Sequence, residues 1–205
     1  GNMKFIARTP WGEFDAEAKI LTEYNIFNLL ASLPYFYSVG GDVPSFFQSL
    51  SSLSLPEGRL QKINERPIYI DYAHTPHALE QACKSLKNHE NKLILVFGAG
   101  GDRDTGKRKQ MGEVADKYAD EIIVTSDNPR NEDPAKIADM IIDGISNESK
   151  IHIELDRSKA ISRAIDKMDG TSTLLVCGKG HEKNQIIGNN KFFFSDKEEI
   201  IKCIN

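Results

Sequence analysis

The sequence predicts an α/β fold with a doubly wound, mostly parallel sheet over residues 57–205, preceded by a segment of different pattern over residues 1–56. Three observations carry this. From about residue 67, short β-branched runs alternate with stretches of helical periodicity. Strands alternating with helices imply parallel neighbours joined by right-handed crossovers. Glycine and charge gather just after the strand-like runs, where such sheets bind ligands.

The elements follow in order. "FIARTPWGEFDAEAKIL" alternates apolar and polar residues, as a half-exposed hairpin does. "NIFNLLASLPYFY" and "VPSFFQSLSSL" read as two helices. No complete α/β unit fits there, so 1–56 reads as the end of a domain, and Gly1-Asn2 before Met3 as a cloning remnant. "LPEGRLQ", with Pro56 and Gly58, reads as the boundary. "RPIYIDYA" is the first strand, and Thr75-Pro76 opens the helix "TPHALEQACKSLKN". Then come "KLILVFG" (strand), "KRKQMGEVADKYA" (helix), "EIIVTS" (strand) and "DPAKIADMIIDGI" (helix). "KIHIEL" and "TSTLLVCG" are strands flanking the helix "RSKAISRAIDKM". A hairpin around Gly188-Asn189-Asn190 and a short helix finish the chain.

Composition narrows the class. The chain has 205 residues, 27% charged and 40% hydrophobic, as in an ordinary globular protein. Twenty-six basic and 30 acidic residues give a net charge of −4, with no basic stripe interleaved with aromatics, so nucleic acid is not an expected partner. Apolar runs are too short to span a bilayer, and no signal peptide is visible. Cys83, Cys177 and Cys203 lack metal-ligand spacing, and an odd, sparse set points to a reducing cytosol.

Four polar loops follow strands: Asp71-Tyr72-Ala73-His74-Thr75-Pro76, Gly98 to Asp104, Ser126-Asp127-Asn128-Pro129-Arg130, and Gly178-Lys179-Gly180-His181-Glu182. Each alone has a plain explanation: Asp71 and Thr75 as helix caps, Asp127-Asn128-Pro129 as turn chemistry, the glycines as tight bends. Together on one sheet edge they favour a binding site. Gly101, Gly106 and Lys107 fit the phosphate-loop spacing G-x-x-x-x-G-K, but Arg108 stands where Ser or Thr would hold Mg²⁺, and Asp102 and Asp104 would repel phosphate. A dinucleotide fingerprint fails as well, because "GAGGDRD" lacks its third glycine.

DYAHTP, FGAGGDRD, DNPR and GKGHE, in this order, resemble the Mur ligase family, most closely its members that add the third residue of the peptidoglycan stem peptide. The likeness runs from about Tyr24 to the end and implies a Rossmann-like C-terminal domain preceded by the tail of a central ATPase domain. That family binds ATP on a central-domain G-T-N-G-K-T run and holds Mg²⁺ with help from a carbamylated lysine. Neither feature is in this sequence, so the chain is expected to be inactive alone, with no catalytic residue or metal site of its own. The resemblance implies a cytoplasmic, monomeric enzyme that activates the carboxylate of UDP-MurNAc-L-Ala-D-Glu as an acyl phosphate. An incoming amine then attacks to form an amide. DNPR implies meso-diaminopimelate as that amine, with lysine and lanthionine, or a non-catalytic amino-acid-binding module, as alternatives. On this pattern Arg108, Asp127, Asn128, Pro129, Arg130, Gly178 and Glu182 bind the diamino acid. Arg130 and Arg108 suit its two carboxylates, and Glu182 its ammonium. Arg59 and Asp71 face the nucleotide, with Asp71 accepting from ribose and His74 near the phosphates.

Overall fold

A computed structural model describes residues 3–19, 22–53 and 56–205. The expected cloning remnant, the Ile20-Leu21 end of the hairpin reading and Leu55 of the boundary lie outside the described residues. The chain divides into two compact units, Gly1–Pro56 and Glu57–Asn205.

In the first unit, β1 (Met3–Thr9) pairs antiparallel with β2 (Gly12–Ala18), with Thr9 opposite Gly12. Two helices follow, α1 (Glu23–Ser38) and α2 (Val43–Ser49). Asp42 caps α2 by accepting from the Ser45 amide at 2.9 Å. Alternate hairpin residues supply Ala7, Ala16 and Ala18 to a core closed by Leu33, Phe47 and Leu50. Phe14 stacks on Phe47 at 4.6 Å. Pro34 lies inside α1 without ending it.

The second unit contains β3 (Gln61–Lys62), β4 (Ile68–Asp71), α3 (Pro76–Leu86), β5 (Lys92–Phe97), α4 (Gly106–Tyr118) and β6 (Glu121–Val124). After them come α5 (Pro134–Ile142), β7 (Ile151–Ile153), α6 (Arg157–Asp166) and β8 (Ser172–Cys177). The chain ends with β9 (Asn184–Ile187), β10 (Asn190–Phe193) and α7 (Asp196–Ile204). Six strands form one sheet in the order β3-β4-β8-β5-β6-β7. Every pairing is parallel except β3 with β4. β9 and β10 form a separate antiparallel hairpin. The α/β reading holds, with one addition: the antiparallel edge strand β3, two residues long, falls in what read as linker.

Successive strand residues face opposite sides of the sheet. Ile70, Ile94, Val96, Ile123 and Val176 pack under α6 and α7 with Ala160, Ile161 and Ile200. The alternate set, Leu93, Leu95, Phe97, Ile122 and Val124, is equally buried, on the side where α3, α4 and α5 lie against one another. The sheet is therefore covered on both faces, and polar groups are left to its strand ends. A polypeptide of residues 57–205 is expected to melt in one cooperative transition, because this core closes without the first unit. Calorimetry against near-ultraviolet circular dichroism checks it; a broad, probe-dependent melt would refute it.

Candidate functional site

The carboxyl ends of β4, β5, β6 and β8 lead into the four polar loops, and these enclose a cavity of about 320 Å³. Tyr72 and His74 line it from the first loop, Gly100 and Arg103 from the second, and Lys107 from the start of α4. Asp127, Asn128 and Arg130 come from the third loop, Gly178 and Glu182 from the fourth. Another cavity, of about 590 Å³, lies beyond Pro129. Its charged groups are already engaged: Arg157 with Asp196, Glu199 with Ser158, and Asp156 as the cap of α6.

The third loop is stitched to β9. The Arg130 amide donates to Ile186 O at 3.0 Å, and Gly188 N donates to Arg130 O at 2.7 Å. Ile186 N donates to Asn128 Oδ1 at 3.0 Å, and Gln185 Nε2 to Asp127 O at 2.9 Å. This clamp holds Arg130 at φ 51°, a left-handed conformation costing a non-glycine residue about 1 kcal/mol.

The glycine-rich loop after β5 packs on the same segment. Gly101 N donates to Asn128 O at 2.9 Å. A Cβ on Gly101 would stand 1.9 Å from Pro129 O, so only glycine permits this approach. Asp104 Oδ1 takes the Gly106 amide at 2.9 Å, at the start of α4, where a phosphate loop would offer that donor to its ligand. The phosphate-loop spacing thus serves backbone packing.

Charge within the cavity is divided. Arg130 Nη1 donates to Gly101 O at 2.8 Å, and Arg130 has no carboxylate partner among the described residues. Glu132, its neighbour in sequence, is held instead by Arg108. Across from it Asp127 is buried, with Oδ1 in no hydrogen bond and Lys179 Nζ 3.4 Å away. Gly178 has φ 114°, and a Cβ there would meet Asp127 Oδ2 at 2.9 Å. Glu182 Oε2 accepts from Asn128 Nδ2 at 3.0 Å.

Two expected site residues are placed otherwise. Arg108, expected at a ligand carboxylate, is fully buried, and its fork closes on Glu132 at 2.7 and 2.8 Å, with Nη2 also donating to Gly100 O. It braces the loop instead of facing the cavity. Asp71, expected to accept from ribose, is buried and accepts the Leu60 and Ala73 amides at 2.7 and 2.8 Å. Burial pushes its carboxyl pKa up, against the pull of those two amides. It clamps Leu60, which has φ 45°, and so fixes the exposed Arg59 beside it. The Arg59 guanidinium lies 5.1 Å from the Tyr72 ring centroid, and His74 and His181 pack on the same ring. Lys107, absent from the sequence reading of the site, lines the cavity and donates to His74 O at 2.9 Å.

The Arg108 hydrogen bonds hold the Glu132 carboxyl at about 2, well below its usual range. A depressed carboxyl stabilises the fold above the unfolded value and loses that contribution as pH falls through the folded one. Stability should therefore fall between pH about 4.5 and about 2, and Glu132→Gln should flatten that limb. Urea titrations across this window check it; an unchanged acid limb in the variant would refute it.

The strand-end loops, the covered parallel sheet and the clamped DNPR segment define an α/β domain with a cavity at the carboxyl edge of its sheet. The family profile described as "Mur ligase, glutamate ligase domain" matches residues 58–180, and the chain belongs to the Mur ligase family. It is 43% identical over 188 residues to the UDP-N-acetylmuramoyl-L-alanyl-D-glutamate--2,6-diaminopimelate ligase of Rickettsia bellii (strain RML369-C), covering 90% of this chain and 40% of that protein. The same-named ligase of Coxiella burnetii (strain RSA 493 / Nine Mile phase I) is 41% identical, covering 96% and 41% respectively. A solved structure of an enzyme of that name superposes with a TM-score of 0.70 at 36% identity, over 98% of this chain and 42% of that one. The chain thus spans about two fifths of the length of these curated relatives.

Proposed function

We propose that residues 57–205 bind the incoming diamino acid of a ligase that adds meso-diaminopimelate to UDP-MurNAc-L-Ala-D-Glu, and that residues 1–56 belong to its ATP-binding central domain. The family consists of ATP-dependent ligases. The observation carrying the reading is the division of charge in one cavity. A guanidinium fork without a carboxylate partner, Arg130, stands with the carboxylates of Asp127 and Glu182. Diaminopimelate carries two carboxylates and two ammonium groups, and this division complements them.

On this reading Arg130 takes the distal carboxylate bidentately. Asp127 and Glu182 accept from the ammonium of the same centre, while Gly178 keeps side-chain bulk away from the ligand. The reacting amine is then held toward an acyl phosphate made with ATP on another part of the enzyme. Its nitrogen attacks the acyl carbon, phosphate leaves, and the nitrogen gives up a proton. This domain contributes positioning and charge complementarity. Arg59, stacked on Tyr72, and His74 with Lys107 offer the nucleotide side a cationic edge. Among the described residues no group of three or more His, Cys, Asp or Glu side chains is placed to hold a metal ion. No described helix is long and apolar enough to cross a membrane.

Lysine, lacking the distal carboxylate, would leave the Arg130 fork unpaired and should bind at least tenfold more weakly. Calorimetric titration of the chain with meso-diaminopimelate and L-lysine tests this. Equal affinity for both, or binding of neither, would overturn it.

A further inference from the structure

Lys179 is fully buried and lies outside the cavity lining, yet it touches three groups that shape the cavity. Its ammonium donates to Asn128 Oδ1 at 3.0 Å and to Asn184 O at 2.8 Å. It stands 3.4 Å from Asp127 Oδ1 and 3.8 Å from Glu182 Oε2. The glycines on either side, Gly178 at φ 114° and Gly180 at φ 53°, turn the chain so that the lysine between them enters the protein. A buried ammonium has a large desolvation cost, and a position that retains one has a use for its charge or its donors.

We infer that Lys179 is a positioning residue that fixes the side-chain amide of Asn128, so that the pocket shows an NH₂ donor beside the Glu182 acceptor. Asn128 Oδ1 receives two donors, Lys179 Nζ and Ile186 N, each at 3.0 Å. Those fill the two lone pairs of an amide oxygen. Flipping the amide would set its NH₂ against an ammonium and a backbone N–H, with no acceptor for either. Nδ2 is thereby aimed at Glu182 Oε2, and its second hydrogen is left for a ligand carboxylate. The same ammonium lies beside Asp127 and offsets part of its charge, so that two acids can share one small cavity. Burial lowers the lysine pKa and Asp127 opposes that shift. The pattern offered to a diamino diacid is then one donor, one guanidinium and two acceptors in fixed places.

The binding arm of the test rests on the ligand proposed above; a ligand-free arm does not. In the isotope-labelled 205-residue chain without ligand, Ile186 N should show a scalar coupling across its hydrogen bond to the Asn128 side-chain carbonyl carbon. The Lys179 ammonium should give a solvent-protected signal with cross-relaxation to Ile186 and Asn184. In Lys179→Met, which keeps the stem length but not the charge, the melt should stay cooperative while the Asn128 coupling weakens or splits. Affinity for meso-diaminopimelate should fall tenfold or more. An unchanged coupling and unchanged affinity would overturn the inference, because a lysine that only fills space would move neither. If the wild-type chain binds no diaminopimelate, the substrate reading fails and the coupling alone decides the role of Lys179. If the variant does not fold, the wild-type signals decide: an exchanging, unprotected ammonium overturns it.

Discussion

Asp196→Ala should destabilise the second unit by about 3–5 kcal/mol, the largest loss expected from a single side chain here. Asp196 and Arg157 are both fully buried and paired through two contacts, Nε to Oδ1 at 2.7 Å and Nη2 to Oδ2 at 2.8 Å. Nη2 also donates to Cys177 O at 2.9 Å, and Nη1 to Ser126 O at 3.4 Å. One guanidinium thus joins the start of α7 to the ends of β8 and β6. Removing the carboxylate strands a cation in the interior, and that desolvation is the source of the cost. The melting temperature should drop by roughly 10 °C for a unit of this size. Replacing both partners, Arg157→Met with Asp196→Leu, should recover most of the loss, because no charge is then left buried. Urea midpoints at constant slope measure both. A loss under about 1 kcal/mol in Asp196→Ala would show that the pair is not isolated from water as the structure has it.

Arg130→Ala should weaken meso-diaminopimelate binding by about 2–5 kcal/mol, since truncation leaves a buried ligand carboxylate unpaired. Arg130→Lys should not restore it, because a single ammonium cannot reproduce a planar two-point fork. The preference over lysine should shrink in the alanine variant, because lysine does not use the fork. Arg130 also braces Gly101 O, so stability must be followed in parallel. Arg130→Gly separates the two effects. With φ 51° the backbone favours glycine, so this variant should be the more stable of the two while binding as poorly. Titration calorimetry on the three variants decides, and an unaltered dissociation constant in Arg130→Ala would remove Arg130 from the ligand site.

The strands and helices of residues 57–205 were legible because each carries its own period and its own punctuation. Thr75 and Asp133 cap the helices that their positions announce. Sheet order was not legible: β8 inserts between β4 and β5, and pairing partners leave no mark on a strand's own periodicity. β3 was too short to show alternation. Strand-end loops pointed to one edge of the sheet, and the cavity lies there. Arg108 was expected at a ligand carboxylate from the family resemblance, and its ion pair with Glu132, remote in sequence, leaves no mark on the local pattern. Lys179 was named in its loop but given no role of its own. A lysine between two glycines reads as solvated, and only the positive φ at both neighbours turns it inward.

The stitching of Asp127–Arg130 to β9 bears on how specificity could drift. Gln185, Ile186 and Gly188 hold the recognition loop by its backbone and by one amide, and none of them lines the cavity. A change in the hairpin, at its tip or in its twist, would reach Arg130 through these hydrogen bonds. Selection for a different amine could therefore act on the hairpin and leave DNPR intact as letters. A motif conserved in text would then no longer certify a conserved substrate, and the hairpin would have to be compared along with it.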